Sequence, residues 1–254
     1  MQIRLLRHAT LVISIAGTRL LVDPMLSQAE AMDPVLNASN DRRIPLLNLP
    51  MDQRALKQLL GEIHAVVVTH VHRDHWDVCA VELLSKSLPI FCQPEDRERI
   101  EQSGFSEVHP LDAPQTFQSL RLQRTSGRHG TGETGQRMGP VSGVVITAGR
   151  EPSLYIAGDT IWCREVEDAL TAYKPDVVVV NAGAAAFLTG GPITMTAEDV
   201  VHVCRAVPSA HIVAVHMEAL NHCGLTRDML RKFLSREGLG DRVDVPDDGD
   251  ILNF

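Results

Sequence analysis

The chain alternates short apolar runs with polar turns, and their spacing predicts a mixed α/β fold. Residues 3–6 and 11–15 are strand-like, and a turn separates them from a third apolar run at 20–22. From residue 51 the pattern changes to alternating helices and strands, and residues 106–157 are strand-rich. This order predicts two packed sheets between helical layers.

The same periodicity places the individual elements. Helices are predicted near residues 52–60, 77–87, 94–104, 165–172, 197–206 and 226–236, and strands near 65–68, 89–93, 118–125, 141–148, 154–157, 177–180 and 212–215. Residues 25–50 carry several prolines and weak periodicity, which predicts a long loop or partly helical excursion. Such an excursion could serve as a lid. Residues 247–250 are expected to form a charged turn.

Composition narrows the class of protein. A length of 254 residues with 44% hydrophobic content suits one domain over residues 1–254. The net charge of -8 argues against broad nucleic-acid binding, which relies on clustered Lys and Arg. The five cysteines include no C-x-x-C pair, so we expect a reducing, cytoplasmic environment. The sequence leaves a homo-oligomer open.

The apolar run at residues 11–16 follows Arg4 and Arg7 and has to be distinguished from a signal peptide. It is short and leads directly into the next strand, without a convincing cleavage site. No stretch in the chain approaches eighteen uninterrupted apolar residues. We therefore expect a soluble protein without a membrane span.

The hexapeptide from His70 to His75, HVHRDH, follows the apolar run at 65–68 and carries the strongest chemical signal. It places four good metal ligands, His70, His72, Asp74 and His75, within six residues. A buried strand would hold the loop that they occupy. The pattern therefore predicts a metal site, in preference to a solvated polar turn.

Three more candidate ligands stand where strand-like runs end. They are His129 in a glycine-rich segment, Asp159 after the run at 154–157, and His216 after the run at 212–215. Each alone is as compatible with a structural role as with a functional one. Together with the hexapeptide they complete seven ligands at positions where α/β folds usually carry functional loops.

On these motifs the chain resembles the metallo-β-lactamase superfamily from Asp23 through His216. The segments RHAT at 7–10, GDT at 158–160 and HMEALNH at 216–222 look like the branch that contains the L-ascorbate-6-phosphate lactonase. The resemblance implies a four-layer αββα sandwich. It also places Asp23 behind the ligands, as a hydrogen-bonding residue.

The resemblance further implies a site for two divalent ions. His70, His72 and His129 would hold one ion, Asp74, His75 and His216 the second, and Asp159 would bridge both. Imidazole and carboxylate ligands suit Zn²⁺ first, then Mn²⁺ or Fe²⁺. The chemistry implied is hydrolysis by a hydroxide that the two ions share.

Roles beyond metal binding are predicted for a few residues. Asp74 and Asp159 are expected to orient the attacking water, and proton donation falls to Asp74, His222 or a second water. His8 and Arg128 are predicted to contact substrate. Arg128 lies beside glycine-rich backbone that could expose N–H groups to an anion, so an anionic small molecule fits.

The leading functional hypothesis is a metal-dependent hydrolase that opens a lactone, another carboxylic ester or an amide. The alternative is a phosphodiesterase of the phospholipid or nucleic-acid type with the same two-metal site. Redox chemistry is disfavoured because the diiron flavoprotein relatives carry a glutamate at the position of His72. A metal-dependent binding protein is the remaining reading.

Overall fold

The computed structural model describes all residues, 1–254, and contains two seven-stranded sheets. The strands are β1 (Gln2–Arg7), β2 (Thr10–Ile15), β3 (Thr18–Val22), β4 (Ala65–Val68), β5 (Ile90–Cys92), β6 (Val108–Pro110), β7 (Gln115–Phe117), β8 (Leu120–Ser126), β9 (Ser142–Thr147), β10 (Leu154–Ile156), β11 (Val177–Asn181), β12 (His211–Val215), β13 (Val243–Asp244) and β14 (Ile251–Asn253). The first sheet has the order β14-β1-β2-β3-β4-β5-β6, and the second β13-β12-β11-β10-β9-β8-β7.

Each sheet is antiparallel on one side and parallel on the other. In the first sheet β14, β1, β2 and β3 pair antiparallel, and β3 to β6 pair parallel. In the second sheet β7 to β10 are antiparallel, and β10 to β13 are parallel. The carboxyl ends of the parallel strands therefore meet at one edge of each sheet, where open α/β sheets bind ligands.

Apolar side chains fill the space between the sheets and both outer faces. Ala65 and Val67 of β4 point into the sandwich, whereas Val66 and Val68 pack against the helical layer outside it. All four are buried because both faces of the sheet are covered, which explains the continuous apolar run that predicted this strand. The predicted αββα sandwich is confirmed.

Seven α-helices complete the outer layers. They are α1 (Gln53–Leu60), α2 (Val78–Leu83), α3 (Arg97–Gln102), α4 (Gly132–Met138), α5 (Arg164–Tyr173), α6 (Ala197–Ala206) and α7 (Arg227–Arg236). The predicted helix over 77–87 ends early because Leu84 leaves helical geometry. The element predicted at 94–104 begins as a 3₁₀ turn before α3. None of these helices has the length and apolar character needed to cross a membrane.

The excursion at residues 25–50 is a loop, with one isolated bridge between Met32 and Ile44. It is anchored on one side by Arg7, whose buried guanidinium donates to the carbonyls of Met25, Ser27 and Leu47. Asn221 anchors it on the other side through the 35–40 segment. The loop therefore lies beside residues 8 and 222, and its role as a lid stays a prediction.

Candidate metal centre

The candidate ligands lie where the strands of both sheets end. His8 follows β1, Asp23 follows β3, and the HVHRDH loop begins two residues after β4. From the second sheet, Asp159 follows β10 and His216 follows β12 directly. The two sheets thus present their ligand-bearing loops to one another across the same edge of the sandwich.

One group of nitrogen donors comes from His70, His72 and His129. Their ligand atoms lie within 4.8 Å of one another. His70 Nε2 is 2.9 Å from His72 Nδ1, and His129 Nε2 is 3.5 Å from Asp159 Oδ2. These are the three histidines predicted to share an ion.

The second group contains Asp74, His75 and His216. Asp74 Oδ2 lies 3.4 Å from His75 Nε2 and 3.6 Å from His216 Nε2. Asp159 stands between the groups, with Oδ2 3.2 Å from His75 Nε2 and Oδ1 3.2 Å from His216 Nε2. Its position suits the bridging role that the family resemblance implies, and that role stays a prediction.

The donor set fits divalent ions that prefer imidazole and carboxylate. The Nε2 atoms of His75 and His216 are buried without a hydrogen-bond partner, although each lies close to Asp159. Unsatisfied buried nitrogens are costly unless something else binds them. Two ligands of one tetrahedral zinc ion lie about 3.3 Å apart, given metal–nitrogen bonds of about 2.0–2.1 Å. The observed separations lie on either side of that spacing, from 2.9 Å between His70 and His72 to 3.6 Å between Asp74 and His216.

Asp23 orients one histidine of each group. Its Oδ2 accepts a hydrogen bond from His75 Nδ1 at 2.9 Å and another from the Thr69 hydroxyl at 2.7 Å. Since the Thr69 hydroxyl donates to Asp23, it accepts from His70 Nδ1 at 3.1 Å. Both rings are thereby oriented with a proton on Nδ1 and with Nε2 directed into the centre, where it can bind metal. Asp23 lies behind the ligands, as expected.

Other contacts hold the remaining ligands. His129 Nδ1 donates to the Ile193 carbonyl at 2.7 Å, and Asn181 Nδ2 donates to Asp159 Oδ1 at 2.6 Å. Behind His216 stands a weaker acceptor, Cys223 Sγ, 3.9 Å from Nδ1. Three of these supporting residues were not predicted from the sequence: Asn181, Ile193 and Cys223. Only Asn181 gave a signal, as a polar residue ending the apolar run at 177–180.

The charged side chains of the site shift one another's pKa values. Burial acts to lower the pKa of His75 and His216, but the nearby carboxylates, Asp159 first, hold both pKa values well above the ordinary range. Burial acts to raise the pKa of Asp74, yet His75 and the other histidines around it hold that pKa well below normal. The carboxylates and these two imidazoles therefore stabilise one another's charged forms.

The pKa values of His70 and His72 shift in the opposite direction from those of His75 and His216. Burial and neighbouring histidines lower the pKa of His70 well below its ordinary value, and burial also lowers the pKa of His72. These two imidazoles are neutral at pH 7. Their neutral nitrogens are ready to bind a cation without losing a proton.

Two further histidines lie around the centre. His8 is fully buried, with Nε2 3.1 Å from Asp74 Oδ2, and burial lowers its pKa to about 3. His222 stacks on Phe187, its Nδ1 is buried without a partner, and burial lowers its pKa to about 4. A neutral His222 can make a hydrogen bond but carries no ready proton at pH 7. Its predicted role as proton donor stays a prediction.

Arg128 lies one residue before His129, but its guanidinium is engaged elsewhere. It forms an ion pair with Glu165 at 2.8 Å, and 56% of its side chain is exposed. The arginine has to leave Glu165 before it can hold an anionic substrate. Its predicted substrate contact stays untested.

Comparison with known proteins gives consistent similarities. The pattern of the Beta-lactamase superfamily domain matches residues 18–217. The UPF0173 protein YddR of Bacillus subtilis is 37% identical over 257 residues, covering all of both chains. The crystal structure of a possible metal-dependent hydrolase from Veillonella parvula is 35% identical, with a TM-score of 0.96 over 100% of this chain and 99% of that chain. The structure of an isothiocyanate hydrolase from Delia radicum gut bacteria is 37% identical, with a TM-score of 0.94 and the same coverage.

Proposed function

The chain belongs to the metallo-β-lactamase superfamily and is a metal-dependent hydrolase, and we propose that it uses two ions to hydrolyse an uncharged small molecule at an electrophilic carbon. The observation that carries this proposal is the pair of donor groups joined by Asp159. When bound, two ions supply an activated water and stabilise the charge that develops on the substrate.

The leading substrate class is an isothiocyanate. Support comes from the 37% identity and the TM-score of 0.94 with an isothiocyanate hydrolase over the whole chain. In this reaction water adds to the central carbon of R–N=C=S, with a proton passing to nitrogen. The resulting monothiocarbamic acid separates into an amine and carbonyl sulfide. A lactone or other carboxylic ester, attacked at a carbonyl carbon of similar character, is the second candidate.

Individual side chains would have separate roles in the reaction. Asp74 stays ionised because its pKa is held well below normal, so it can accept a hydrogen bond from water and orient it. Neutral His222 can hold the substrate through a hydrogen bond, while a water or Asp74 carries the proton to the leaving atom. Since Arg128 is paired with Glu165, an uncharged substrate fits better than an anionic one.

A substrate panel tests the proposal. The zinc-loaded protein would be assayed with benzyl isothiocyanate, γ-butyrolactone, p-nitrophenyl acetate and bis(p-nitrophenyl) phosphate. We expect the isothiocyanate to have the highest kcat/KM, and chelation to abolish turnover until metal is restored. A preference for the lactone or ester would select the second candidate, and one for the phosphodiester would select the phosphodiesterase alternative.

Two variants test whether turnover of the panel compounds depends on the metal centre. His70→Ala removes a ligand, and we expect it to lower kcat by a factor of about 10³ or more, because charge stabilisation at the reacting centre is lost. His109→Ala is the matched control, since that ring stacks on Phe91 away from the centre. If His70→Ala turns over all four compounds as fast as His109→Ala does, the proposed function is refuted.

A further inference from the structure

His8 combines several unusual features for a residue outside the seven predicted ligands. Its side chain is fully buried, and its ring lies 3.6 Å from the ring of His216, centroid to centroid. Its backbone carbonyl accepts a hydrogen bond from the His216 amide at 2.9 Å. The chain therefore couples β1 of the first sheet to the end of β12 in the second through this one residue.

The backbone at His8 is held in a conformation that only a constrained position maintains. Its φ is 61°, in the left-handed region, and that of His216 is 70°. Non-glycine residues there cost of the order of 1 kcal/mol or more and persist only when the surroundings fix them. With the backbone in this conformation, the Nε2 atoms of His8 and His216 lie 3.1 Å and 3.6 Å from Asp74 Oδ2.

The position of His8 Nε2 allows two roles. Nε2 lies 3.1 Å from Asp74 Oδ2, and the donor group around the second ion includes it together with Asp74, His75 and His216. It could bind the ion directly, or it could donate its proton to Asp74. The two roles require opposite tautomers of the ring.

The surroundings of the other ring nitrogen, Nδ1, distinguish metal binding from donation to Asp74. A histidine that binds metal through Nε2 carries its proton on Nδ1 and normally donates it to a carboxylate or carbonyl. His8 Nδ1 is buried and has no hydrogen-bond partner. A proton there would leave a buried donor unpaired, at a cost of about 1–3 kcal/mol. A proton on Nε2 instead makes a hydrogen bond with Asp74.

We propose that His8 is a positioning residue, which donates its Nε2 proton to Asp74 and so fixes the carboxylate that serves the second ion and the attacking water. This rests on the proposed function and deepens it, because it assigns His8 to Asp74 in place of a substrate contact. Asp74 Oδ2 faces His75 and His216 within 3.6 Å, and the hydrogen bond from His8 keeps it there.

The test uses the zinc-loaded protein and does not need a substrate. Zinc-edge X-ray absorption counts imidazole ligands, and we expect five over two ions, from His70, His72, His75, His129 and His216. Nitrogen-15 NMR of the imidazole groups should show His8 as a neutral ring protonated at Nε2. Six imidazoles, or a proton on Nδ1, would overturn the proposal. Both measurements use the unaltered protein, so neither depends on a variant that folds.

A matched pair of variants adds a functional readout. In His8→Gln the amide N–H can replace the Nε2 donor, whereas His8→Met keeps similar volume without a donor. We expect His8→Met to lower kcat by about 10- to 100-fold with less than about threefold change in KM, and His8→Gln to recover most of it. Equal kcat in both variants would overturn the donor role.

The measurements on His8 and the substrate panel give independent results. If wild-type protein hydrolyses none of the four panel compounds, the proposed function fails. The ligand count and the tautomer still judge His8 independently, since both are measured without turnover.

Discussion

Gly183→Ala offers a sharp test of how the second sheet holds His216. Gly183 follows β11 and packs under the loop that begins with His216. A Cβ at this position would lie 2.2 Å from the His216 carbonyl oxygen, 2.9 Å from Cys223 Sγ and 3.2 Å from His216 Nδ1. The first distance is far below any normal contact, so His216 or Gly183 has to move by about 1 Å.

The size of the loss in stability and in kcat depends on which atoms this movement displaces. Overpacking of this kind costs about 1–3 kcal/mol of unfolding free energy. In a chain of this size the melting temperature should then fall by about 2–12 °C. Displacing a ligand by about 1 Å is expected to lower kcat by about 10²-fold, because the reacting groups lose their alignment. Metal binding should weaken as well, since the added Cβ would lie 3.2 Å from His216 Nδ1.

The assay compares Gly183→Ala with Gly191→Ala, in which the added Cβ meets nothing within 4 Å. Thermal unfolding, zinc content after dialysis and kcat with the best panel substrate would be measured for both. The Gly191 variant should stay within about 0.5 kcal/mol of wild type and keep full activity. A Gly183 variant with lowered stability but wild-type zinc content and kcat would refute the reasoning, because the strain would then have relaxed away from His216.

Two further predictions concern the metal centre, and a third concerns helix α6. Asp23→Asn leaves one of its donors without an acceptor, so a chelator competition should show about 10- to 100-fold weaker metal binding; unchanged affinity would contradict the orienting role. Because the pKa values of His75 and His216 are raised, metal binding at pH 7 should release protons, and affinity should rise with pH; calorimetry in buffers of different ionisation enthalpy measures this, and no buffer dependence would contradict it. Thr196→Ala removes the capping box with Asp199 at the start of α6, so chemical denaturation should show a loss of about 1 kcal/mol with kcat unchanged.

Much of the fold could be predicted because its elements have strong local patterns. The helix over 197–206 was predicted with its observed bounds, and the apolar runs gave the buried parallel strands β4, β11 and β12. α4 was missed because two glycines in seven residues, Gly132 and Gly135, weaken any helical signal. β14 was missed because three residues after a charged turn carry no period, and its pairing with β1 joins opposite ends of the chain.

Part of the site could likewise be predicted from local sequence patterns, and part could not. The six adjacent residues of HVHRDH predicted a metal site, and the ends of strand-like runs indicated where its distant ligands lie. The contact between His8 and Asp74 spans 66 residues, and nothing local in RHAT distinguishes a hydrogen-bond donor from a substrate contact. That distinction depends on the tautomer of one buried ring, which only the packing around Nδ1 can set.

The strain at the strand ends explains why the ligands can converge at all. Each strand has to turn sharply as it leaves its sheet, and His8, Asp23 and His216 do so at φ values of 61°, 44° and 70°. Glycine would adopt this geometry more easily, but it carries no ring or carboxylate. Backbone hydrogen bonds offset the cost, from Asp23 to β4 and from His216 to His8. The two sheets themselves therefore hold the turns that carry these side chains.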